Sequence, residues 1–182
     1  MRELSLNILD IVTNSIEADA SRVIIVIEEF QSTNMLRLRI RDNGKGMDKN
    51  LVNKVLDPFV TTRTTRAVGM GLSLLRQLAV QCGGDLLIKS APGKGTTVAA
   101  MFQLNNLDRP PLGDIADSIV NLIIGSPDVH FVYIHKTDIA AMYFDSFWLP
   151  ARMEEEGVSI YSLVSPAKDI IRQKLIKIKS SA

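Results

Sequence analysis

Apolar residues recur every three or four positions over residues 2–18, which is the spacing of one face of an amphipathic helix. These apolar positions are Leu4, Ile8, Ile11, Val12 and Ile16. A second face carries polar side chains at the same spacing, namely Asn7, Asp10, Asn14 and Glu17. The first predicted element is therefore a helix with one buried face and one polar face.

Strand patterns follow this helix. Residues 23–27 form a continuous apolar run, and residues 36–41 alternate strictly between apolar residues and arginine, so the two predict an antiparallel hairpin. Further along, the pattern predicts helices over 49–56 and 72–81 and strands over 85–89 and 96–104. The expected fold of this stretch is α+β, with a layer of helices on one face of a sheet.

Residues 105–112 have the composition of a linker, and the pattern restarts after them. A helix is predicted over 113–124, strands over 129–135 and 140–144, and a basic helix over 166–179. The expected domain organisation is one domain over 1–104, a linker over 105–112 and a small C-terminal α/β unit over 113–182.

Bulk composition narrows the function classes. A content of 46% hydrophobic and 23% charged residues is that of a globular protein, and a net charge of +1 argues against nucleic acid or an anionic membrane as partner. No run approaches the ~20 apolar residues that a membrane span requires, and no signal-peptide pattern is present, so a cytoplasmic location is expected. Cys82 is the only cysteine, which excludes an internal disulfide.

Asp10 and Asn14 are the first candidates for chemistry. Such a pair is most often part of a solvated helix face, but a carboxamide oxygen is also a suitable ligand for Mg²⁺. Asp10, one turn earlier on the same face, would then orient or deprotonate a water molecule.

Two glycine motifs lie further along the chain. Asp42-Asn-Gly44-Lys-Gly46-Met47 follows a strand, and as a bare string it is a tight turn. In a nucleotide site, the Asp42 carboxylate would accept a hydrogen bond from an adenine amino group. Gly69-Met70-Gly71-Leu72 opens a helix, whose first N–H groups suit triphosphate oxygens. A lone Gly-x-Gly is weak evidence by itself.

The order and spacing of these motifs resemble the GHKL superfamily of ATP-binding domains, which includes histidine kinases, DNA gyrase, mismatch-repair ATPases and a heat-shock chaperone. The resemblance covers residues 2–104 and implies a two-layer α/β sandwich of the Bergerat type, with helices on one face of a mixed sheet. It implies ATP and Mg²⁺ as cofactors. It assigns Asn14 to Mg²⁺, and to the nucleotide Asp42, Gly44, Gly46, Phe59, Gly69, Gly71 and Thr97. Met47, Met70 and Leu72 are neighbouring candidates, and Arg63 is a candidate clamp for the γ-phosphate.

Several alternatives remain open at this point. Residues 14–23 resemble the mismatch-repair type of motif, whereas residues 58–102 resemble a histidine kinase. Hydrolysing members usually carry Glu where this chain has Asp10, and the shorter side chain predicts less efficient water activation. His130 and His135 are expected to be ordinary strand residues and not phosphoacceptors.

Three functions follow from the resemblance. The first is an enzyme that hydrolyses Mg-ATP slowly or transfers its γ-phosphoryl group to a separate partner protein, as anti-sigma-factor serine kinases do. The second is an ATP-dependent switch that recruits a partner without turnover. The third, a DNA-processing subunit, is disfavoured by the near-neutral charge. A homodimer is a family-level expectation.

Overall fold

The structure, a computed structural model, describes residues 3–56, 70–149, 155, 157 and 159–181. Its longer helices are α1 (Leu4–Glu17), α2 (Lys49–Val55), α3 (Met70–Gln81), α4 (Ile115–Gly125) and α5 (Val164–Lys177). Its strands are β1 (Arg22–Phe30), β2 (Met35–Asp42), β3 (Asp85–Ser90), β4 (Thr96–Gln103), β5 (His130–Thr137) and β6 (Ala141–Asp145). Two short 3₁₀ helices, Ser146–Trp148 and Ile160–Leu163, complete these elements. The α+β fold predicted from the periodicities is confirmed.

All six strands belong to one sheet, in the order β3-β4-β2-β1-β5-β6. Strand β5 runs parallel to β1, with Val23 opposite Phe131, and the other neighbours are antiparallel. The sheet is therefore mixed. β1 has neighbours on both edges, and its apolar run of residues 23–27 is buried except at the half-buried Ile24.

The helices cover one face of this sheet. α1 contacts α3 and α4, and α4 contacts α5. One apolar core runs through this layer and includes Leu4 of α1, Leu75 of α3, Ile119 of α4 and Ile171 of α5. The sequence-based division into residues 1–104 and 113–182 thus separates two stretches that share one sheet and one core.

Residues 105–112, expected to be a linker, pack against the start of α1. The N–H groups of Leu4 and Ser5 donate to the carbonyls of Pro111 and Leu112, each at 2.9 Å. α1 has no side-chain N-cap, so these carbonyls satisfy N–H groups that have no partner within the helix. The Leu112 side chain is buried at 2% exposure, which fixes the path from β4 to α4.

None of the helices in the described part of the chain has the length and apolarity needed to span a bilayer.

Candidate nucleotide-binding site

A cavity of about 260 Å³ lies between α1, α2, the start of α3, the loop after β2 and the start of β4. It is lined by Ile11, Asn14, Ser15, Glu17, Ala18, Asp42, Lys45, Gly46, Met47, Leu51, Val55, Gly71, Leu72, Thr96 and Val98. The three motifs that lie far apart in the sequence, around residues 14, 44 and 71, therefore meet at one place. Most of the lining is apolar, with a few polar groups among it, as is usual for small-molecule sites.

Asp42, at the end of β2, places a carboxylate that is held by hydrogen bonds at the base of this cavity. Its side chain is 8% exposed. Oδ1 accepts hydrogen bonds from the N–H groups of Gly44 at 2.9 Å and Thr96 at 3.1 Å. Oδ2 accepts one from the Ser15 hydroxyl at 3.1 Å. Three donors from three different segments thus fix the orientation of the carboxylate.

The loop after Asp42 is held against two other backbones. Lys45 N–H donates to the Ala18 carbonyl at the end of α1 at 2.8 Å, and Gly93 N–H donates to the Lys45 carbonyl at 2.7 Å. A Cβ on Gly44 would lie 2.5 Å from Ala18 O, and one on Gly46 would lie 2.0 Å from Ala91 O. Gly46 also has a φ of +67°, which side-chain-bearing residues rarely adopt. Both glycines are therefore required by close packing within the protein.

Met47 and Thr96 are tied together through Ser90 at the end of β3. Ser90 Oγ accepts from Met47 N–H at 2.8 Å, donates to the Gly95 carbonyl at 2.9 Å and lies 2.9 Å from Thr96 Oγ1. These contacts join the loop after β2 to the turn between β3 and β4. The backbone segments that form the cavity floor are consequently joined by one hydrogen-bond network.

Asp10 and Gly71 bring α1 and α3 together at the other end of the site. A Cβ on Gly71 would lie 1.8 Å from Asp10 Oδ2, so the exposed Asp10 carboxylate packs against the first turn of α3. Asn14, one turn further along α1, lines the cavity and is half-buried. The polar face predicted for α1 therefore points toward the glycine-rich start of α3.

The family model described as histidine kinase-, DNA gyrase B-, and HSP90-like ATPase matches residues 2–106, more than half of the chain. The chain belongs to this family.

Individual members of this ATPase family resemble the chain in sequence. A putative sensor protein of Shewanella frigidimarina is 34% identical over 103 residues, which are 56% of this chain and 16% of that protein. The signal transduction histidine-protein kinase AtoS of Escherichia coli is 34% identical over 99 residues, which are 54% of this chain and 16% of the kinase. The chain therefore matches about a sixth of the length of each relative.

Solved structures show the same fold. The Aquifex aeolicus MutL ATPase domain complexed with ADP has a TM-score of 0.50 at 17% identity, covering 85% of this chain and 67% of that one. The N-terminal domain of a DNA repair protein has a TM-score of 0.53 at 18% identity, covering 80% and 52%. Coverage of 85% extends past residue 106, so the likeness in fold includes strands or helices beyond the stretch that the family model matches.

One residue predicted for the ATPase site faces away from it. The resemblance assigned Thr97 to the nucleotide, but its neighbour Thr96 lines the cavity, and the backbone N–H of Thr96 donates to Asp42 Oδ1. The reason is strand alternation: Thr96 shares a face with Val98 and Ala100, which are buried under the helices. Thr97 therefore lies on the opposite face of the sheet, and Thr96 replaces it in the candidate site.

The other predicted residues divide into two groups. The residues that the structure brings together around the cavity are Asn14, Asp42, Gly46, Met47, Gly71 and Leu72. Gly44 lies in the same loop as Gly46 and packs against Ala18, and Asp10 lies beside Gly71. Phe59, Arg63 and Gly69 lie outside the described residues, as does the side chain of Met70, which starts α3.

Ser15 is not among the predicted site residues, although its hydroxyl donates a hydrogen bond to Asp42. The available signal was a small polar residue four positions after Ile11 on the buried side of the first helix. Leu51 and Val55 of α2 also line the cavity without having been selected. They lie four positions apart, so they share a face of that short helix.

Proposed function

We propose that the chain binds Mg-ATP in this cavity and either hydrolyses it slowly or transfers its γ-phosphoryl group to a separate partner protein. The observation that carries the proposal is the buried, oriented carboxylate of Asp42 at the cavity base. A carboxylate only accepts hydrogen bonds, which suits the exocyclic amino group of adenine. Membership of the ATPase family and the ADP complex of a protein with the same fold support a nucleotide as the ligand.

The chemistry of the lining fits an adenine nucleotide. Ile11, Met47 and Val98 supply apolar surface around Asp42, as the faces of a purine ring require. At the other end, Gly71 and Leu72 belong to the first turn of α3, whose N–H groups and dipole favour phosphate oxygens. The cavity is thus apolar where the base would lie and offers backbone N–H donors where the phosphates would lie.

Asn14 fits a magnesium ion that is held mainly by phosphates. Its side chain lines the cavity on the α1 face nearest the start of α3, and its amide oxygen is a hard, neutral ligand. When bound, Mg²⁺ would neutralise charge on the phosphate oxygens. Asn14 would hold the ion at the α1 side of the same cavity that Asp42 lines.

Asp10 is the residue that we propose to act on the attacking group. Its carboxylate lies against the first turn of α3, where terminal phosphate oxygens would be held. From there it can accept a hydrogen bond from a water molecule or from the hydroxyl of a partner protein and hold that group in line. Aspartate reaches one methylene less far than glutamate, which is consistent with slow turnover.

The fate of the γ-phosphate tests this proposal. Purified chain is incubated with γ-labelled Mg-ATP, alone and with lysate of its source, and is compared with the Asp10→Ala and Asn14→Ala variants. Asp169→Ala is the matched control, because Asp169 is an exposed helical aspartate on α5, away from the cavity lining. We expect Asn14→Ala to weaken Mg-ATP binding, and Asp10→Ala to abolish product formation without weakening binding.

Each product has its own meaning. Free phosphate from the wild type indicates an ATPase, and label on another protein indicates a kinase, for which the name of the AtoS relative offers a precedent. Tight binding without either product would replace turnover with the ATP-dependent switch. Binding that is unchanged in Asn14→Ala and in Asp42→Asn would refute the site itself.

A further inference from the structure

The face of the sheet opposite the helices carries a row of arginines along β2. Leu36, Leu38 and Ile40 are buried under the helices, so alternation places Arg37, Arg39 and Arg41 on the opposite face. Arg37 is half-buried and pairs with Glu28 at 3.2 Å, and Lys136 of β5 pairs with the same carboxylate at 3.3 Å. That part of the face is therefore neutralised internally.

Arg39 and Arg41 differ from Arg37. Both are exposed, and within the described residues no carboxylate lies within ion-pairing distance of either. Lys89 of β3 is also exposed and has no carboxylate within that distance in the same part of the chain. These three side chains leave one region of the open face with positive charge that the described structure does not balance.

The three cations border a shallow groove along β4. Thr97 lies opposite Arg41 on one side and Lys89 on the other, and Ala99 lies between Arg39 and Leu87. Because adjacent strands are ~4.8 Å apart, the two walls are separated by about 10 Å over a floor of small side chains. We call the surface formed by Arg39, Arg41, Lys89, Leu87, Thr97 and Ala99 the β4 groove.

We propose that the β4 groove binds an extended acidic segment of a partner protein. Arg39 and Arg41 are two residues apart on one strand, a rise of ~7 Å, which equals the spacing of alternate side chains in an extended peptide. Carboxylates at alternate positions of such a segment would reach these guanidinium groups in turn. Its backbone and small side chains would lie over Thr97 and Ala99, beside the half-exposed Leu87.

The composition of the groove favours a peptide over single-stranded nucleic acid. Sites for single strands combine positive charge with aromatic side chains on which bases stack. The only aromatic residue in β2, β3 and β4 is Phe102, and it is buried in the core at 2% exposure. The groove thus offers charge and apolar surface without a stacking platform.

Fluorescence anisotropy with a labelled ten-residue peptide of alternating Glu and Thr tests this site. We expect saturable binding that falls at least about tenfold in the double variant Arg39→Gln/Arg41→Gln, since two charged contacts are lost. The matched control Lys177→Gln/Lys179→Gln removes the same charge from exposed positions at the end of α5 and after it, and should stay within about twofold of wild type, since rim charges that make no contact contribute little.

A third variant separates groove shape from charge. Ala99→Leu raises the floor without altering charge, and it should also weaken the peptide by at least about tenfold, because the added side chain fills the space between the walls. The nucleotide cavity is not lined by Arg39, Arg41 or Ala99, so ADP binding reports whether each variant is folded.

Several results would overturn the β4 groove as a peptide site. These are the absence of saturable binding, equal weakening by the two double variants, and wild-type affinity in Ala99→Leu. Tighter binding of a sixteen-nucleotide oligothymidylate than of the peptide would assign the surface to nucleic acid instead. Because ADP binding is measured separately, failure here is distinguishable from failure of the nucleotide site.

Discussion

Glu29 and His135 contact each other on the neighbouring parallel strands β1 and β5, with 2.5 Å between Glu29 Oε1 and His135 Nε2. Both are buried, at 3% and 0% exposure. His135 Nδ1 lies 2.6 Å from the hydroxyl of the buried Tyr133. The Glu29 carboxylate also accepts from Ser180 Oγ at 2.5 Å and from Ser181 N–H at 3.1 Å. One buried carboxylate thus ties the segment after α5 to the sheet.

This contact makes the free energy of unfolding depend on pH in the acidic range. Burial opposes ionisation of Glu29, but hydrogen bonds from His135, Ser180 and Ser181 outweigh it and lower the pKa from 4.5 to about 2. A lowered pKa means that the ionised form stabilises the fold above pH 4.5 and that this contribution is lost as pH falls from 4.5 to about 2. The loss is about 3 kcal/mol in the free energy of unfolding, since one pKa unit corresponds to about 1.4 kcal/mol.

Urea unfolding at several pH values between 4.5 and 2 measures this dependence. Glu29→Gln should be less stable than wild type at pH 4.5 and should lose less stability on acidification. Other carboxyls with lowered pKa values, such as Asp114 and Asp145, contribute equally to both proteins. Parallel curves for the two proteins would show that Glu29 is not the source.

The two histidines of β5 should differ sharply in their effect on stability. His135→Leu leaves the Glu29 carboxylate buried without its ring partner and should cost about 3–5 kcal/mol in the free energy of unfolding. His130 is 27% exposed in its contact with Asp145, so His130→Leu should cost about 1 kcal/mol or less. Denaturation midpoints of the two variants provide the comparison. Similar costs at both positions would contradict the buried network.

Thr96 and Thr97 form a natural pair for testing the orientation of β4. Thr96→Ala removes a hydroxyl that lines the cavity and contacts Ser90, so ADP affinity should fall by roughly threefold to tenfold, the usual effect of one neutral hydrogen bond. Thr97→Ala lies on the opposite face and should leave ADP affinity unchanged. Isothermal titration calorimetry on both variants checks this. A larger effect at Thr97 would restore the assignment made from the sequence.

Alanine substitutions at Gly46 and Gly93 allow the cost of a positive φ to be measured apart from the cost of a steric clash. Both have positive φ, +67° and +71°, so alanine at either position adds a similar conformational cost of about 1 kcal/mol. A Cβ on Gly46 would also meet Ala91 O at 2.0 Å, whereas one on Gly93 would have nothing within 4 Å. Gly46→Ala should therefore destabilise the chain by at least about 2 kcal/mol more in thermal unfolding, and should weaken ADP binding. Equal destabilisation would mean that the loop after β2 shifts without cost.

The elements of the fold were predictable because their periodicities are strong. The alternation in residues 36–41 correctly separated the buried apolar residues of β2 from its outward arginines. The hairpin of β1 with β2 was predicted and is present, but the second neighbour of β1 was not predictable, because periodicity indicates which face of a strand is buried and not which distant strand lies beside it. The parallel pairing of β1 with β5 therefore emerged only from the structure.

The site was partly predictable for a similar reason. Asp42, Gly46 and Gly71 lie in short motifs whose glycines are visible in the sequence, and all three reach the cavity. Ser15 and the choice between Thr96 and Thr97 depend on which way a side chain points, which a motif alone does not encode. His135 was expected to be an ordinary strand residue, since nothing nearby in the sequence indicates that Glu29, 106 positions away, would face it.

The parallel pairing of β1 with β5 has a consequence for any fragment made from this chain. A fragment ending near residue 106 would keep the region that the family model matches but would lose β5, and with it every partner on one side of β1. The nine-residue strand β1, with its apolar run of residues 23–27, would then present unpaired backbone N–H and C=O groups along one edge. Such an edge is a template for strand addition between copies, so the shortened domain would be prone to self-association through β1 even with its nucleotide cavity intact.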